Sequence, residues 1–402
     1  MGESKSDVHS WLRDFLEKRK IFQYKLEVAG KTSKGDGYLG EVTFVKISTF
    51  TDRIYHLVIK SAKQSVELRK QTPIEEVFQR EMYVYTVIMP AFTKFQEENE
   101  VEHIFDNFPR CYGVYNKDRK EAIILQNMKS LKYDIHDRKT PQNLHHVAIV
   151  FKNYARFHAL SIAMKRQQPE IFKNLTKDMT DLLSQFVIQA GMVPGMFSDF
   201  KLARELLKEE DPVAFRKLDF NENDIERALC KVSDLPDGLS VILHGDCWNN
   251  NMMFAYENKD KTQPSNMAFI DFQLSSVGSP ICDLSYYLYS VADESVLQYF
   301  DLILQSYHYH LTNFLLEMGE TNTGVTLQDL RRHWFLYGKF GIAMAPFILK
   351  IELSESDEVA DLVQGAESGH IGDTFNVELK NKDEYNYRVK SVLKHYASFI
   401  DK

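Results

Sequence analysis

Apolar residues change their period along the chain, and the changes mark out its elements. Trp11, Leu12, Phe15 and Ile21/Phe22 recur at near-helical spacing and predict a helix over 9–25. The period then falls to two. The runs EVTFVKI (41–47) and IYHLVIK (54–60) read as strands, the second β-branched and apolar. Val77, Phe78, Met82, Tyr85 and Ile88 return to helical spacing over 73–89. A strand pair is expected at 110–115 and 122–125. From Asn143 the pattern is mostly helical: 143–165, 178–190, 199–209 and 222–231. A β-rich island follows at 240–244, 251–256 and 267–272, and helices run on from there. The pattern predicts an α+β chain. A small N-terminal α+β region of helices and a sheet (1–128) meets a larger, mainly helical region (129–402) at a polar, loop-like stretch over 128–140.

Composition narrows this without changing it. The 402 residues are 44% hydrophobic and 26% charged, an ordinary globular make-up that excludes global disorder, collagen and coiled coil. The net charge of −8 argues against a dedicated nucleic-acid binder, which carries a basic footprint. Cys111, Cys230, Cys247 and Cys282 are far apart and form no CxxC pair, so neither zinc nor a disulfide framework is suggested, and a cytoplasmic location fits. The first residues lack an apolar signal core. Met1-Gly2 followed by Ser6 matches a short acylation pattern that arises often by chance. No apolar run reaches membrane-span length; the nearest, WFLYGKFGIAMAPFILKIEL, is broken by Lys339, Pro346 and Lys350.

Three segments carry chemistry. Gly35, Gly37 and Gly40 begin a GxGxxGxV pattern that leads into a strand, not a helix. Strand–loop–strand is the setting in which glycines let backbone N–H groups approach ATP phosphates; a plain glycine hairpin fits the segment equally well. Lys60 ends the strand LVIK, like the lysine of kinases that meets the α/β-phosphates, and Glu81 on the following helix could hold it in place. Taken singly, both fit ordinary surface residues better. The third segment is the specific one. His244-Gly-Asp246 is followed five residues later by Asn251, and Asp271 ends the next strand. Two carboxylates and an amide at strand ends suit a hard divalent cation. In phosphoryl transfer one Asp takes the acceptor's proton, while an Asn and a second Asp hold Mg²⁺. A capped turn of buried polar groups would require each strand–acid boundary to be coincidence. His244 reads as a loop brace, and Cys247 and Trp248 as packing.

These pieces stand in kinase order, but HGD replaces HRD, and Gly278-Ser-Pro-x-x-Asp283-Leu stands where a protein kinase would have its APE segment. The chain resembles the aminoglycoside phosphotransferase and choline kinase group, and within it the ecdysteroid kinase-like (CHK kinase-like) family. The resemblance rests on Phe78-x-x-Glu81-x-x-x-Tyr85, Pro109-Arg-Cys-Tyr, Phe157-His158-Ala159, HGDCWNNN, Ile270-Asp-Phe-Gln and Gly278-Ser-Pro-x-x-Asp283-Leu. It implies a bilobal protein-kinase-like fold, ATP and Mg²⁺ as cofactors, and phosphorylation of a small-molecule alcohol, in some members a steroid. It also implies a hinge at Gln126 to Met128 taking adenine through main-chain groups, with Gln126-Asn127 replacing the family's Glu-Asp. By the same resemblance Asp283 is a structural aspartate, a helix N-cap or loop brace. Aromatic segments after Asp283 (286–289, 307–310, 334–347) are mostly core and could in part line an acceptor pocket. A choline- or ethanolamine-type kinase, a kinase acting on xenobiotic alcohols, and a non-catalytic pseudokinase remain the alternatives.

Overall fold

The computed structural model describes residues 5–31, 38–117, 119–231, 233–235, 237–258, 260–355, 358, 360–369, 371–375 and 378–400. Gly35, Gly37 and the Met1-Gly2 pattern lie outside the described residues. The chain has the expected α+β arrangement, a β-rich N-terminal region and a larger helical C-terminal part.

Helix α1 (Lys5–Lys18) precedes strands β1 (Tyr24–Lys31), β2 (Gly40–Thr49) and β3 (Ile54–Ala62). After α2 (Val66–Gln71), α3 (Ile74–Tyr83) runs through a π-helical turn at Val84–Ile88 into α4 (Met89–Glu98). Pro90 has no N–H to donate, and the wide turn before it carries the Met89 N–H to the Val84 carbonyl. Strands β4 (Cys111–Tyr115) and β5 (Ala122–Gln126) complete a five-stranded antiparallel sheet in the order β1-β2-β3-β5-β4.

Period-two alternation gives this sheet two working faces. Val45, Ile47, Leu57, Ile59, Ala122 and Ile124 point one way and pack with Val8, Trp11, Leu12, Phe15 and Leu16 of α1. Residues of opposite parity, including Ala62, Ile123 and Leu125, join the main core with α3. Lys60 has that second parity, so the pleat alone turns its side chain toward α3. Its register partners are Val42 on β2 and Ile123 on β5.

The expected helix over 9–25 is too long. It stops at Lys18; Lys20 takes a left-handed φ of 54° and the Ile21 N–H closes onto the Leu16 carbonyl. Tyr24 and Lys25, expected to end that helix, instead open β1, a strand that the apolar pattern does not predict. Phe22 is 78% exposed, so it did not belong to the apolar stripe. The stretch over 128–140 is not all loop: it holds a 3-10 turn (Met128–Leu131) and strand β6 (Tyr133–Ile135).

The C-terminal part begins with the buried α5 (Leu144–Gln167), followed by α6 (Pro169–Thr176), α7 (Leu182–Gln189), α8 (Val193–Glu205), α9 (Pro212–Lys217) and α10 (Glu222–Leu229). The β-island is β7 (Val241–Ile242), β8 (Met252–Ala255), β9 (Asn266–Phe269) and β10 (Val277–Gly278). Strand β6 pairs with β8 and β8 with β9, while β7 pairs with β10. Helices α11 (Pro280–Val291), α12 (Glu294–Leu297), α13 (Phe300–Glu317), α14 (Leu327–Tyr337), α15 (Lys339–Leu353), α16 (Leu362–Ser368) and α17 (Lys382–Ala397) follow. Among the described residues no single helix is long and apolar enough to cross a membrane. The apolar stretch noted at 334–353 is two helices bent by 57°, and α15 is largely buried.

Helix α1 belongs to the sheet's core. Truncating its fully buried Leu12 to Ala should cost about 2–5 kcal/mol, as for other large-to-small core changes, and lower the thermal unfolding midpoint. An unchanged midpoint would mean α1 is dispensable to the sheet.

Candidate active site

Lys60 is the meeting point of three segments distant in sequence. Its Nζ lies 2.6 Å from Glu81 Oε2 on α3 and 2.6 Å from Asp271 Oδ1 just after β9. It also donates to Gln273 Oε1 at 3.4 Å and stands 5.7 Å from the centre of the Phe78 ring. Burial alone would lower the lysine's pKa, but the Asp271 and then the Glu81 carboxylates outweigh it and hold the ammonium above its ordinary value. Burial raises the Glu81 carboxyl, with the Lys60 charge opposing. Both side chains are thus withdrawn from solvent, unlike the surface residues that composition favours.

Helix α3 is fixed where it stands. Arg80, the residue before Glu81, donates to the carbonyls of Asp178 and Thr180 at 3.0 Å each and to that of Ser275. The Asp271 segment and the helix bearing Glu81 are therefore tied together twice. Gly40 sits at the start of β2 against the same helix; a Cβ there would lie 3.1 Å from the Phe78 ring and 3.2 Å from the Ser61 carbonyl.

The loop between β7 and β8 carries Asp246 and Asn251. Asn251 Nδ2 donates to the Asp246 backbone oxygen at 3.0 Å and to its Oδ2 at 2.9 Å. Tyr286 OH donates to Asp246 Oδ1 at 3.2 Å. Burial, then the nearby Asp271 carboxylate, pushes Asp246 up to about 7 against the hydrogen bonds from Asn251 and Tyr286. The residue keeps some exposed surface. Asp271 itself has φ +67°, a left-handed conformation that Asp tolerates, and its side chain is 24% exposed.

Asp283 organises the loop from beneath. Its Oδ2 accepts from the His244 N–H at 2.7 Å and its Oδ1 from the Gly245 N–H at 3.0 Å and the Cys247 thiol at 3.0 Å. His158 Nε2 meets the same carboxylate at 3.2 Å, and its Nδ1 meets Tyr307 OH at 2.9 Å. Burial would raise Asp283, but the bonds from His158 hold it below its ordinary value. Asp283 is a loop brace and not the N-cap of α11; Ser279 takes that role. His244 is buried between Asp246 N–H, which donates to its Nδ1 at 3.3 Å, and the Ile270 carbonyl, which accepts from its Nε2 at 2.9 Å. Burial lowers its pKa, so it stays neutral as a brace. Cys247, buried and pushed well above the usual thiol range first by burial, is no nucleophile.

At the hinge, the Gln126 N–H is already committed to the Arg110 carbonyl at 2.8 Å and the Asn127 N–H to that of His56 at 3.0 Å. Asn127 Oδ1 caps the 3-10 turn by accepting the Lys129 N–H at 3.0 Å. Met128 opens that turn, where first N–H groups lack an intrahelical partner.

The residues fit a hard cation completed by ligand oxygens. Among the described residues no three His, Cys, Asp or Glu could hold a metal by themselves. With Asn251 Nδ2 directed at Asp246, its Oδ1 is the atom left for a cation. Asp271 Oδ1 is buried without a hydrogen bond among the described residues, although the Lys60 ammonium is 2.6 Å away. Few protein oxygens supplemented by phosphate is the usual provision for Mg²⁺.

The expected residues thus fall into two adjoining sets, Lys60–Glu81–Asp271 and Asp246–Asn251. Gln273, Tyr286 and Glu352, whose Oε1 accepts the Asn249 N–H at 3.2 Å, were not singled out from sequence. Gln273 lies within a quoted motif and Tyr286 within the aromatic segment 286–289, while Glu352 carries no local signal.

A strand-borne lysine held between a helix glutamate and a post-strand aspartate, above an HGD loop, defines a kinase-like class of chain. The family model of the ecdysteroid kinase-like family matches residues 34–320, and the chain belongs to that kinase-like phosphotransferase family. Solved structures similar to it are the GDP complex of wild-type aminoglycoside 2'-phosphotransferase-IIIa (TM-score 0.43, 12% identity, covering 98% of this chain and 99% of that one) and that of a point mutant of it (TM-score 0.44, 12% identity, covering 98% of each chain). No curated protein sequence matches at a significant level.

Gly245 has φ +88°, and a Cβ there would lie 2.1 Å from the Leu274 carbonyl oxygen. Gly245→Ala should destabilise the chain by about 3 kcal/mol or more, combining backbone strain with a backbone clash. Thermal unfolding measures this; wild-type stability would show that the turn at 274–275 yields.

Proposed function

We propose that this chain transfers the γ-phosphoryl group of ATP to a hydroxyl of a small molecule, with Mg²⁺, and that the acceptor is a steroid alcohol such as an ecdysteroid. Membership of the ecdysteroid kinase-like family supports the acceptor class. One observation carries the reaction type: Lys60 is gripped by both Glu81 and Asp271, while Asp246 and Asn251 are bonded to each other beside them.

In this reading residues 1–128 bind nucleotide and 129–402 bind acceptor, in the cytoplasm. The loop at Gly35, Gly37 and Gly40 covers the phosphates. Lys60, held by Glu81, meets the α/β-phosphates. The hinge at Gln126 to Met128 takes adenine, with the Met128 N–H, which has no partner among the described residues, as its donor. Asn251 Oδ1 and Asp271 would hold Mg²⁺, which when bound would offset the charge developing on the transferred phosphoryl group. Asp246 accepts the proton of the attacking hydroxyl; a carboxyl pushed to about 7 is well matched to that task near neutral pH.

Purified protein and Mg-ATP added to a metabolite extract should add a phosphate to one or a few alcohols, detected by mass spectrometry. Steroid, amino-alcohol and phenolic acceptors then distinguish the acceptor class. Failure to phosphorylate any of them, with ATP still bound, would leave a binding module. Asp246→Asn should lower transfer by roughly 10²–10⁴-fold, the range of a lost general base. The fold should persist, because the Tyr286 hydroxyl can rotate to accept from the new amide. Full activity in that variant would remove Asp246 from the chemistry.

A further inference from the structure

Both carboxylate oxygens of Asp246 are already engaged by the protein. Oδ2 accepts from Asn251 at 2.9 Å, and Oδ1 accepts from Tyr286 OH at 3.2 Å. Asn251 belongs to the same loop and moves with it. Tyr286 comes from α11 and is 1% exposed. Among the described residues its hydroxyl bonds to nothing else.

The position of Tyr286 on its helix matters. Asp283 and Tyr286 are three residues apart and so project from one face of α11. Asp283 holds the backbone of the loop at His244 and Gly245; Tyr286 holds the side chain of the next residue, Asp246. One turn of one helix therefore fixes both the path of the loop and the direction of its carboxylate. Tyr286 is itself locked. Its ring meets the Phe340 ring edge-on, with centroids 5.8 Å apart. Helix α15 comes close enough for this because of Gly341, where a Cβ would lie 2.4 Å from the Ser285 carbonyl carbon. The other buried tyrosines of this helix serve different partners: Tyr287 donates to Gln142, and Tyr289 lies between His395 and Trp334.

We propose that Tyr286 is a positioning residue for phosphoryl transfer: its hydroxyl pins Asp246 Oδ1, so that the carboxylate presents one orientation to the acceptor hydroxyl. Asp246 left with Asn251 alone could turn about its χ angles and lose that alignment. This inference rests on Asp246 being the proton acceptor, as proposed above.

Tyr286→Phe keeps the ring and its packing on Phe340 and deletes one oxygen. It should lower kcat about ten- to a hundred-fold, the span of one hydrogen bond to a charged group. The KM for ATP and the thermal midpoint should stay near wild type. Tyr289→Phe removes a comparable buried hydroxyl from the same helix and should leave kcat unchanged. An unaltered kcat in Tyr286→Phe would overturn the proposal, as would equal losses in both variants or a parallel loss of ATP affinity. Crystal structures of wild type and Tyr286→Phe give a readout independent of activity: the Asp246 carboxylate should be ordered in the first and rotated or split between rotamers in the second. An identical Asp246 in both would sink the positioning role even if no acceptor is ever found. An acceptor failure with a displaced Asp246 would sink only the reaction.

Discussion

A buried ammonium can be kept only where opposite charge surrounds it. Lys60 is such a group, and its two carboxylates come from a helix twenty-one residues later and a loop more than two hundred residues later. Breaking a buried ion pair by removing one partner costs about 3–5 kcal/mol, because the remaining charge stays unpaired. The sheet, α3 and the end of β9 are therefore not free to settle independently. Arg80 reinforces the same geometry one residue away, tying α3 to carbonyls on the C-terminal side. Glu81 is held facing Lys60 by the fold itself, with no need for a separate ordering event.

A second constraint acts on the loop below. Asp283 accepts from two consecutive backbone N–H groups and a thiol, and it needs Gly245 between them because only glycine passes Leu274 at that φ. His158 supplies the counter-donor from α5. The two constraints meet at Asp246 and Asp271, whose charges oppose each other. That opposition, added to burial, is what raises Asp246. A positive charge near Asp271 would relieve that opposition.

The sequence made legible what chemistry compresses into short spans. HGD with Asn five residues on, and an acid ending the next strand, appear as a unit because strand ends place their side chains together. Lys60 and Glu81 were legible only through their order, since nothing local distinguishes a buried lysine from a solvated one. The helix boundary at Lys18 was missed because Ile21 and Phe22 continued the apolar spacing and the left-handed Lys20 is not a glycine. Tyr286 was hidden in an aromatic stretch. Whether its hydroxyl meets Asp246 depends on the rotation of α11 against a loop forty residues earlier, and no periodicity encodes that. Asn127, in the expected hinge, caps the following turn through its side-chain oxygen, as an aspartate could.

Much of the support for the site lies outside the segment that the family model matches, which runs from 34 to 320. Helix α1 precedes it and seals the far face of the sheet that carries Lys60. Helix α15 follows it and contributes Phe340 against Tyr286 and Glu352 against the Asn249 N–H. Glu352 is buried and pushed up to about 7, chiefly by burial, with Arg388 of α17 working against that shift. Arg388 in turn donates to the Ser290 carbonyl at the end of α11. The catalytic-loop residues are thus braced from α11 in front and from α15 and α17 behind. The helices after residue 320 therefore help to hold both the loop that carries Asp246 and the helix that carries Tyr286.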